Sequence, residues 1–302
     1  MSAILIVISL LVLTSCGSEV EKKDPLTNED PTEQETSLDS TDNEKEYIQA
    51  MKPAKDTLLY INDRDIPVLF DIRVPQNAVN GFILLLHGWN FPQDDWCTKM
   101  TFCDKALSKG FVLIMPSFGK TTYQWELYPE TIEKYRSYPS RQWMYDTALM
   151  ELQSLGLLLP GQNNFVAGIS TGGRGAAFFA LEHPDVFRAA APLSGDFDQT
   201  KLPPGEPINT GFYGPMNAFE ERWTGRDNIY NRAAEYTVPT WFGHGTKDKI
   251  CATFHSTEFA ERLTELHPDL VIAVDTPALG HDYVFWEDQT DKVLSFFERF
   301  RQ

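Results

Sequence analysis

The 302-residue sequence has no gathering of lysine and arginine: 26 basic residues face 43 acidic ones, for a formal charge of −17. Phosphate recognition needs basic side chains clustered on one surface, so the composition argues against a nucleic-acid partner. Cysteine is scarce, four in all, with neither a C-x-x-C pair nor a His/Cys group at zinc-ligand spacing. A structural metal therefore has no support. The apolar run from Ala3 to Leu13 is too short to cross a bilayer as a mature helix. No internal repeat occurs. At 42% hydrophobic content, one substantial core with tails is the default organisation.

The apolar run has signal-peptide length. It ends in Leu13-Thr14-Ser15-Cys16-Gly17, which resembles the bacterial lipobox, where small residues precede a cysteine that becomes the lipidated N-terminus. Residues 1–15 are thus expected to be a signal peptide and Cys16 the lipidation site; the alternative is an ordinary N-terminal helix with an incidental cysteine. No Lys or Arg precedes the run, a departure from the usual signal pattern. Between Glu19 and Glu46 stand eleven acids and three lysines, a net −8, which leaves −9 for the remainder. Residues 16–50 hold too few large apolar side chains to offset ordering entropy and are expected to form an extended acidic tether. The expected protein is an exported, membrane-anchored lipoprotein, periplasmic or at the cell surface, touching the membrane through its lipid only. An exported compartment permits disulfides. Of Cys97, Cys103 and Cys251 one pair at most can bond; Cys97 and Cys103 are nearest in sequence, and three free thiols are the alternative.

From about residue 57, short β-rich runs alternate with helical ones, the pattern of an α/β fold with a mostly parallel sheet covered on both faces. Strands are expected at Leu58 to Ile61, Ile66 to Val74, Phe82 to Leu86, Phe111 to Met115, Asn164 to Ile169, Ala189 to Leu193, Pro239 to Phe242 and Leu270 to Val274. Helices are expected at Asp104 to Lys109, Trp143 to Leu155, Gly173 to Glu182 and Gln289 to Arg299. The Gly/Pro-rich connection from Lys201 to Tyr236 reads as an irregular cap. Residues 51–302 form the expected catalytic domain.

Gly168-Ile169-Ser170-Thr171-Gly172 matches G-x-S-x-G, a strand-to-helix elbow whose glycines make room for a strained serine. It follows the apolar Phe165-Val166-Ala167 and opens a small-residue helix, the context the motif requires. A serine hydroxyl needs a base to take its proton and an acid to hold that base in one tautomer. In this fold the chain order is serine, acid, histidine. Asp248 lies at the tip of the turn after the Pro239 strand, and His281 in the loop after the Leu270 strand. Asp282 and Asp275 are weaker choices for the acid. His87, His183, His244, His255 and His267 read as structural. The oxyanion donors are expected to be the Thr171 N–H and, from the turn Leu86-His87-Gly88-Trp89-Asn90, the Trp89 N–H in preference to Gly88. The His-Gly-Gly-Gly form of that turn is absent.

These residues resemble the esterase D type of α/β-hydrolase, which includes feruloyl esterases, S-formylglutathione hydrolases and mycolyl-transferring antigens. The similarity runs from about Phe82 to Phe300 and is most specific from Gly168 through Gly195, with Gly280-His281-Asp282-Tyr283 and Trp286 resembling the histidine loop. Gly245-Thr246-Lys247-Asp248 resembles the acid loop of dienelactone-hydrolase-like relatives. Thr171 stands where the family often has Met. The resemblance implies hydrolysis of a carboxylic ester through an acyl-serine, with no metal or organic cofactor. For an exported protein it points to acetyl or feruloyl esters on carbohydrates, with Trp89, Trp96, Trp125 and Trp223 available either for stacking on a ring or as core. A peptidase or acyltransferase on the same triad, and a catalytically silent glycan-binding lipoprotein, are the competing expectations.

Overall fold

A computed structural model describes residues 57–63, 66–136 and 138–302. The expected signal peptide, Cys16 and the acidic tether lie outside the described residues.

Eight strands form one sheet: β1 (Thr57–Asp63), β2 (Ile66–Arg73), β3 (Gly81–Leu86), β4 (Phe111–Pro116), β5 (Asn164–Ile169), β6 (Ala189–Leu193), β7 (Thr240–Gly243) and β8 (Ile272–Asp275). Their order is β1-β2-β4-β3-β5-β6-β7-β8. β1, β2 and β4 pair antiparallel at one edge, and all pairings from β4 across to β8 are parallel. The apolar runs seen in the sequence are the strands from β3 to β6, every residue of which is buried. Strands covered on both faces have no solvent side to make polar, so they lose the alternating pattern.

The helices are α1 (Asp95–Thr98), α2 (Phe102–Ser108), α3 (Ser140–Trp143), α4 (Leu149–Ser154), α5 (Thr171–Glu182), α6 (Pro207–Tyr213), α7 (Glu220–Thr224), α8 (Phe254–Leu266) and α9 (Tyr283–Arg299). Successive side chains of a strand point to opposite faces, and the core divides accordingly. Phe82, Leu84 and Leu86 of β3 pack with Leu152 of α4, Phe178 of α5 and Phe259 of α8. Ile83 and Leu85 face the other way, toward Trp96, Phe102 and Phe285. On that side Phe165 of β5 stacks on Phe297 of α9 with ring centres 4.7 Å apart.

The chain leaves β3 for β4 on one side and reaches β5 on the other, so the strand order reverses between β3 and β5. In open α/β sheets this is where a crevice forms beyond the carboxyl ends of the strands. The elbow after β5, the turn after β3 and the loops after β7 and β8 all emerge at that end.

Several boundaries depart from the sequence expectation. The last helix begins at Tyr283 rather than Gln289, because Asp282 sits extended at its N-terminus and accepts the Phe285 N–H at 3.1 Å. A side-chain cap of this kind satisfies one of the orphan donors of the first turn. The helix expected at Trp143 to Leu155 is α3 and α4 joined by a π-helical turn, Met144–Ala148. The final strand starts at Ile272. Residues 201–236 are less irregular than expected: α6, α7 and a 3₁₀ segment (Tyr230–Glu235) order them. There Phe212, Tyr213 and Trp223 gather with Tyr135 into a separate aromatic cluster. Cys97 and Cys103 form a disulfide that joins α1 to α2, and Cys251 is free and buried.

Candidate active site

Ser170 stands between β5 and α5 with φ 57° and ψ −124°, a positive-φ conformation that costs a non-glycine residue of order 1–3 kcal/mol. The neighbouring backbone requires it. A Cβ on Gly168 would lie 1.9 Å from the Gly172 carbonyl oxygen, and a Cβ on Gly172 would lie 2.4 Å from the Leu86 oxygen. With those two side chains absent, the turn is tight enough to lift the serine hydroxyl off the sheet edge. The Ser170 N–H donates to the Leu193 carbonyl oxygen at the end of β6, 2.9 Å away.

His281 Nε2 is 2.9 Å from Ser170 Oγ, and His281 Nδ1 is 2.6 Å from Asp248 Oδ2. A carboxylate on Nδ1 places the proton there, which leaves Nε2 unprotonated toward the serine hydroxyl. The ring is held edge-on against Trp286, with centres 5.3 Å apart. Asp248 Oδ1 accepts the Ile250 and Cys251 N–H groups, both at 2.8 Å. Burial alone would raise the Asp248 carboxyl, but hydrogen bonds from His244 and His281 outweigh it and hold it well below the usual carboxylate range. Asp248 is thus an anion throughout the neutral range, as an orienting group for imidazole must be.

The remaining acids near the site are engaged elsewhere. Asp282 caps α9, and Asp275 accepts from Gln289 and Lys292, both at 2.6 Å. His244 departs from the sequence expectation: although four residues from Asp248, its Nε2 lies 3.3 Å from the same Oδ2. The loop between them doubles back, so proximity in sequence did not prevent contact.

The turn after β3 flanks Ser170. A methyl on Gly88 would lie 3.1 Å from Ser170 Cβ. Neither the Trp89 N–H nor the Thr171 N–H meets an acceptor among the described residues, so both are free for an oxyanion. His87 fixes the turn from beneath: its Nδ1 lies 2.6 Å from the Gly88 oxygen, and its Nε2 accepts the Phe118 N–H at 2.8 Å.

The cap is fastened to α5. Arg174, in the first turns after Ser170 and fully buried, donates to Thr122 O (3.1 and 2.8 Å), Asp196 (2.8 Å) and Asn209 (3.0 Å). Arg141 bonds Asp227 at 2.5 Å, and Asp227 accepts the Trp125 N–H. Neither arginine was singled out by the sequence, where an isolated Arg carries no signal. Of the four tryptophans considered for ring stacking, Trp96 and Trp223 are core: Trp96 donates to Leu86 O, and Trp223 to Gly214 O. Trp89 and Trp125 are half-buried. Trp89 meets Tyr135 and Phe212 edge-to-face, at 4.8 and 5.9 Å, while the Arg226 guanidinium covers Trp125 at 3.3 Å.

The esterase family model matches residues 71–287. No curated protein matches the chain. Among solved structures, the chain is similar to the fluorophosphonate-binding serine hydrolase F of Staphylococcus aureus, at TM-score 0.64 and 17% identity, over 81% of this chain and 98% of that one. It is also similar to an S-formylglutathione hydrolase from Agrobacterium tumefaciens (TM-score 0.64, 14% identity, 81% and 95% covered). A ferulic acid esterase aligns at TM-score 0.60 and 17% identity, with 82% and 97% covered. At such identities the likeness speaks for the scaffold, and the family match speaks for the chemistry. The chain belongs to the esterase family and is a serine carboxylic ester hydrolase built on the α/β-hydrolase fold.

Proposed function

We propose that Ser170 is the nucleophile, His281 the general base and Asp248 the orienting acid, and that the substrate is an acyl ester of a carbohydrate, acetyl or feruloyl. The observation that carries the assignment is the unbroken chain of contacts from Ser170 Oγ through His281 to Asp248, at 2.9 and 2.6 Å. His281 Nε2 takes the hydroxyl proton as Oγ bonds to the ester carbonyl carbon. The oxyanion that forms accepts the Trp89 and Thr171 N–H groups. His281 then gives its proton to the leaving alcohol oxygen, and the acyl group remains on Ser170. A water deprotonated by the same nitrogen attacks the acyl carbon, and Ser170 leaves with its proton restored.

The half-exposed Trp89 ring, braced by Tyr135 and Phe212, supports an acyl site that accepts a planar ring. The Cys97–Cys103 disulfide supports an exported location, since cytosolic thiols are kept reduced, and Cys16 would then carry the lipid that holds the enzyme at the membrane. The test compares p-nitrophenyl acetate, methyl ferulate and acetylated or feruloylated oligosaccharides on the wild type and on Ser170→Ala. The expected result is turnover of the sugar esters that vanishes in the variant. Turnover of simple esters alone would remove the carbohydrate assignment, and equal activity in both proteins would remove Ser170 as the nucleophile.

A further inference from the structure

The Asp248 carboxylate carries two imidazoles rather than one. His281 Nδ1 and His244 Nε2 both approach Oδ2, at 2.6 and 3.3 Å, while Oδ1 is occupied by the Ile250 and Cys251 N–H groups. His244 itself is fully buried. Its Nε2 also lies 3.0 Å from the Cys251 carbonyl oxygen, and its Nδ1 lies 2.8 Å from Ser256 Oγ. A carbonyl and a carboxylate can only accept, so the ring proton is on Nε2, shared between Cys251 O and Asp248 Oδ2. Nδ1 then accepts the Ser256 hydroxyl proton. The tautomer follows from the partners alone.

This ring is built in. Its backbone N–H donates to Asp275 O at 3.0 Å, continuing the β7–β8 pairing, and Ser256 belongs to α8. His244 is therefore fixed by strand, helix and loop at once, with its single donor lying between the Cys251 carbonyl at 3.0 Å and the acid at 3.3 Å. A polar ring placed here only to fill space would leave its ring nitrogens seeking partners in a dry interior, at a cost that an apolar side chain would avoid.

We propose that His244 is a positioning residue for the triad: it donates a second hydrogen bond to Asp248 Oδ2 and so sets how much negative charge that oxygen presents to His281. The inference rests on the reading of Ser170, His281 and Asp248 as the reacting groups. A carboxylate oxygen that already accepts from His244 is a weaker acceptor for His281. The imidazolium formed during catalysis then faces a carboxylate oxygen whose charge is already partly engaged. The ionisable groups interacting with this unit are His281 from the histidine loop, Cys251 from the acid loop, His255 from α8, Asp196 after β6 and Arg174 from α5. Asp196 and Arg174 bond each other at 2.8 Å, and Asp282 caps α9.

Two amide variants separate positioning from packing. His244→Gln puts a side-chain N–H near the place of Nε2, whereas the shorter His244→Asn puts it near Nδ1, facing Ser256 and out of reach of Asp248. The Asn variant is expected to lose about tenfold to a hundredfold in kcat, the range for losing a hydrogen bond to a charged group, with KM little changed. The acidic limb of its kcat/KM profile should move to higher pH, because Asp248 now binds the His281 proton more tightly. The Gln variant should restore the limb to its wild-type position. Equal damage in both variants with an unmoved limb would overturn the proposal and leave His244 as packing. Should the Asn protein not fold, Ser256→Ala decides, since it frees Nδ1 and loosens the ring's aim: a limb moved upward supports the inference, and an unmoved one overturns it. Ser170→Ala is measured alongside. If it keeps full activity, the triad reading has failed; if it is inert while the His244 variants keep the wild-type limb, only the positioning role has failed.

Discussion

The Tyr123 hydroxyl donates to the His87 carbonyl oxygen at 2.9 Å, which ties the segment after β4 to the turn carrying Trp89. Tyr123 is fully buried and holds a left-handed φ of 54°. Its ring also lies against the helix that follows Ser170, since a Cβ on Gly175 would meet it at 2.6 Å. One side chain therefore braces both the turn with the free Trp89 N–H and the helix that begins at Thr171. Tyr123→Phe keeps the ring and removes the bond. It is expected to cost about 1–2 kcal/mol in chemical denaturation and to lower kcat more than it raises KM, because the loosened donor acts on developing charge.

Replacing Asp248 by Asn should lower kcat by about 10⁴, as loss of the orienting carboxylate leaves His281 in the wrong tautomer. KM for a p-nitrophenyl ester should stay within a few fold. A variant with near-normal kcat would show that Asp275 or Asp282 can serve as the acid, against their engagement with Lys292 and the α9 N-terminus.

Arg174→Met tests the fastening of the cap. The side chain fits the buried volume but leaves Asp196 and the Thr122 carbonyl without their partner. Breaking a buried pair from one side costs about 3–5 kcal/mol. The melting temperature should fall steeply, and limited proteolysis should cut within 197–236 before it cuts the sheet.

His87 makes stability depend on pH. Burial lowers its pKa from 6.5 to about 4, against a smaller upward pull from its bond to Gly88 O. The folded state holds the ring neutral while the unfolded chain binds a proton near pH 6.5, so stability is complete above that value and falls as pH drops toward 4. The loss over that window is about 3 kcal/mol. In His87→Gln, denaturation midpoints between about pH 7 and pH 4.5 should vary less than in the wild type, if the buried ring is the group responsible. An equal slope would assign the acid sensitivity to other groups.

The sheet and the Ser170, His281 and Asp248 set were legible because each has a local signature. Central parallel strands read as unbroken apolar runs, and the elbow joins a motif to a strand before it and a helix after it. Asp248 and His281 followed from the order in which strands deliver their loops. What was hidden depends on chain folding at a scale the sequence does not display. The contact of His244 with Asp248 needs the acid loop to turn between them, where the Asp248 N–H donates to Gly245 O at 3.2 Å. Trp96 and Trp223, which the sequence left open between ring stacking and core, are decided by the elements that close over them. The early start of α9 was missed because Asp282, read only as a rival acid, is its cap. The two buried arginines gave no pattern at all.

The loops after β7 and β8 are laced together: Thr246 N–H donates to Pro277 O at 2.8 Å, and Lys247 N–H to Leu279 O at 2.9 Å. His281 and Asp248 thus ride on one pair of bonded loops, while Ser170 is rooted between β5 and α5. The base and the acid that orients it are therefore held by a backbone lacing that does not pass through Ser170. A substitution that strains the elbow at Ser170 should therefore leave the imidazole on its carboxylate, and the amide protons of Thr246 and Lys247, bonded to the same facing loop, should exchange together.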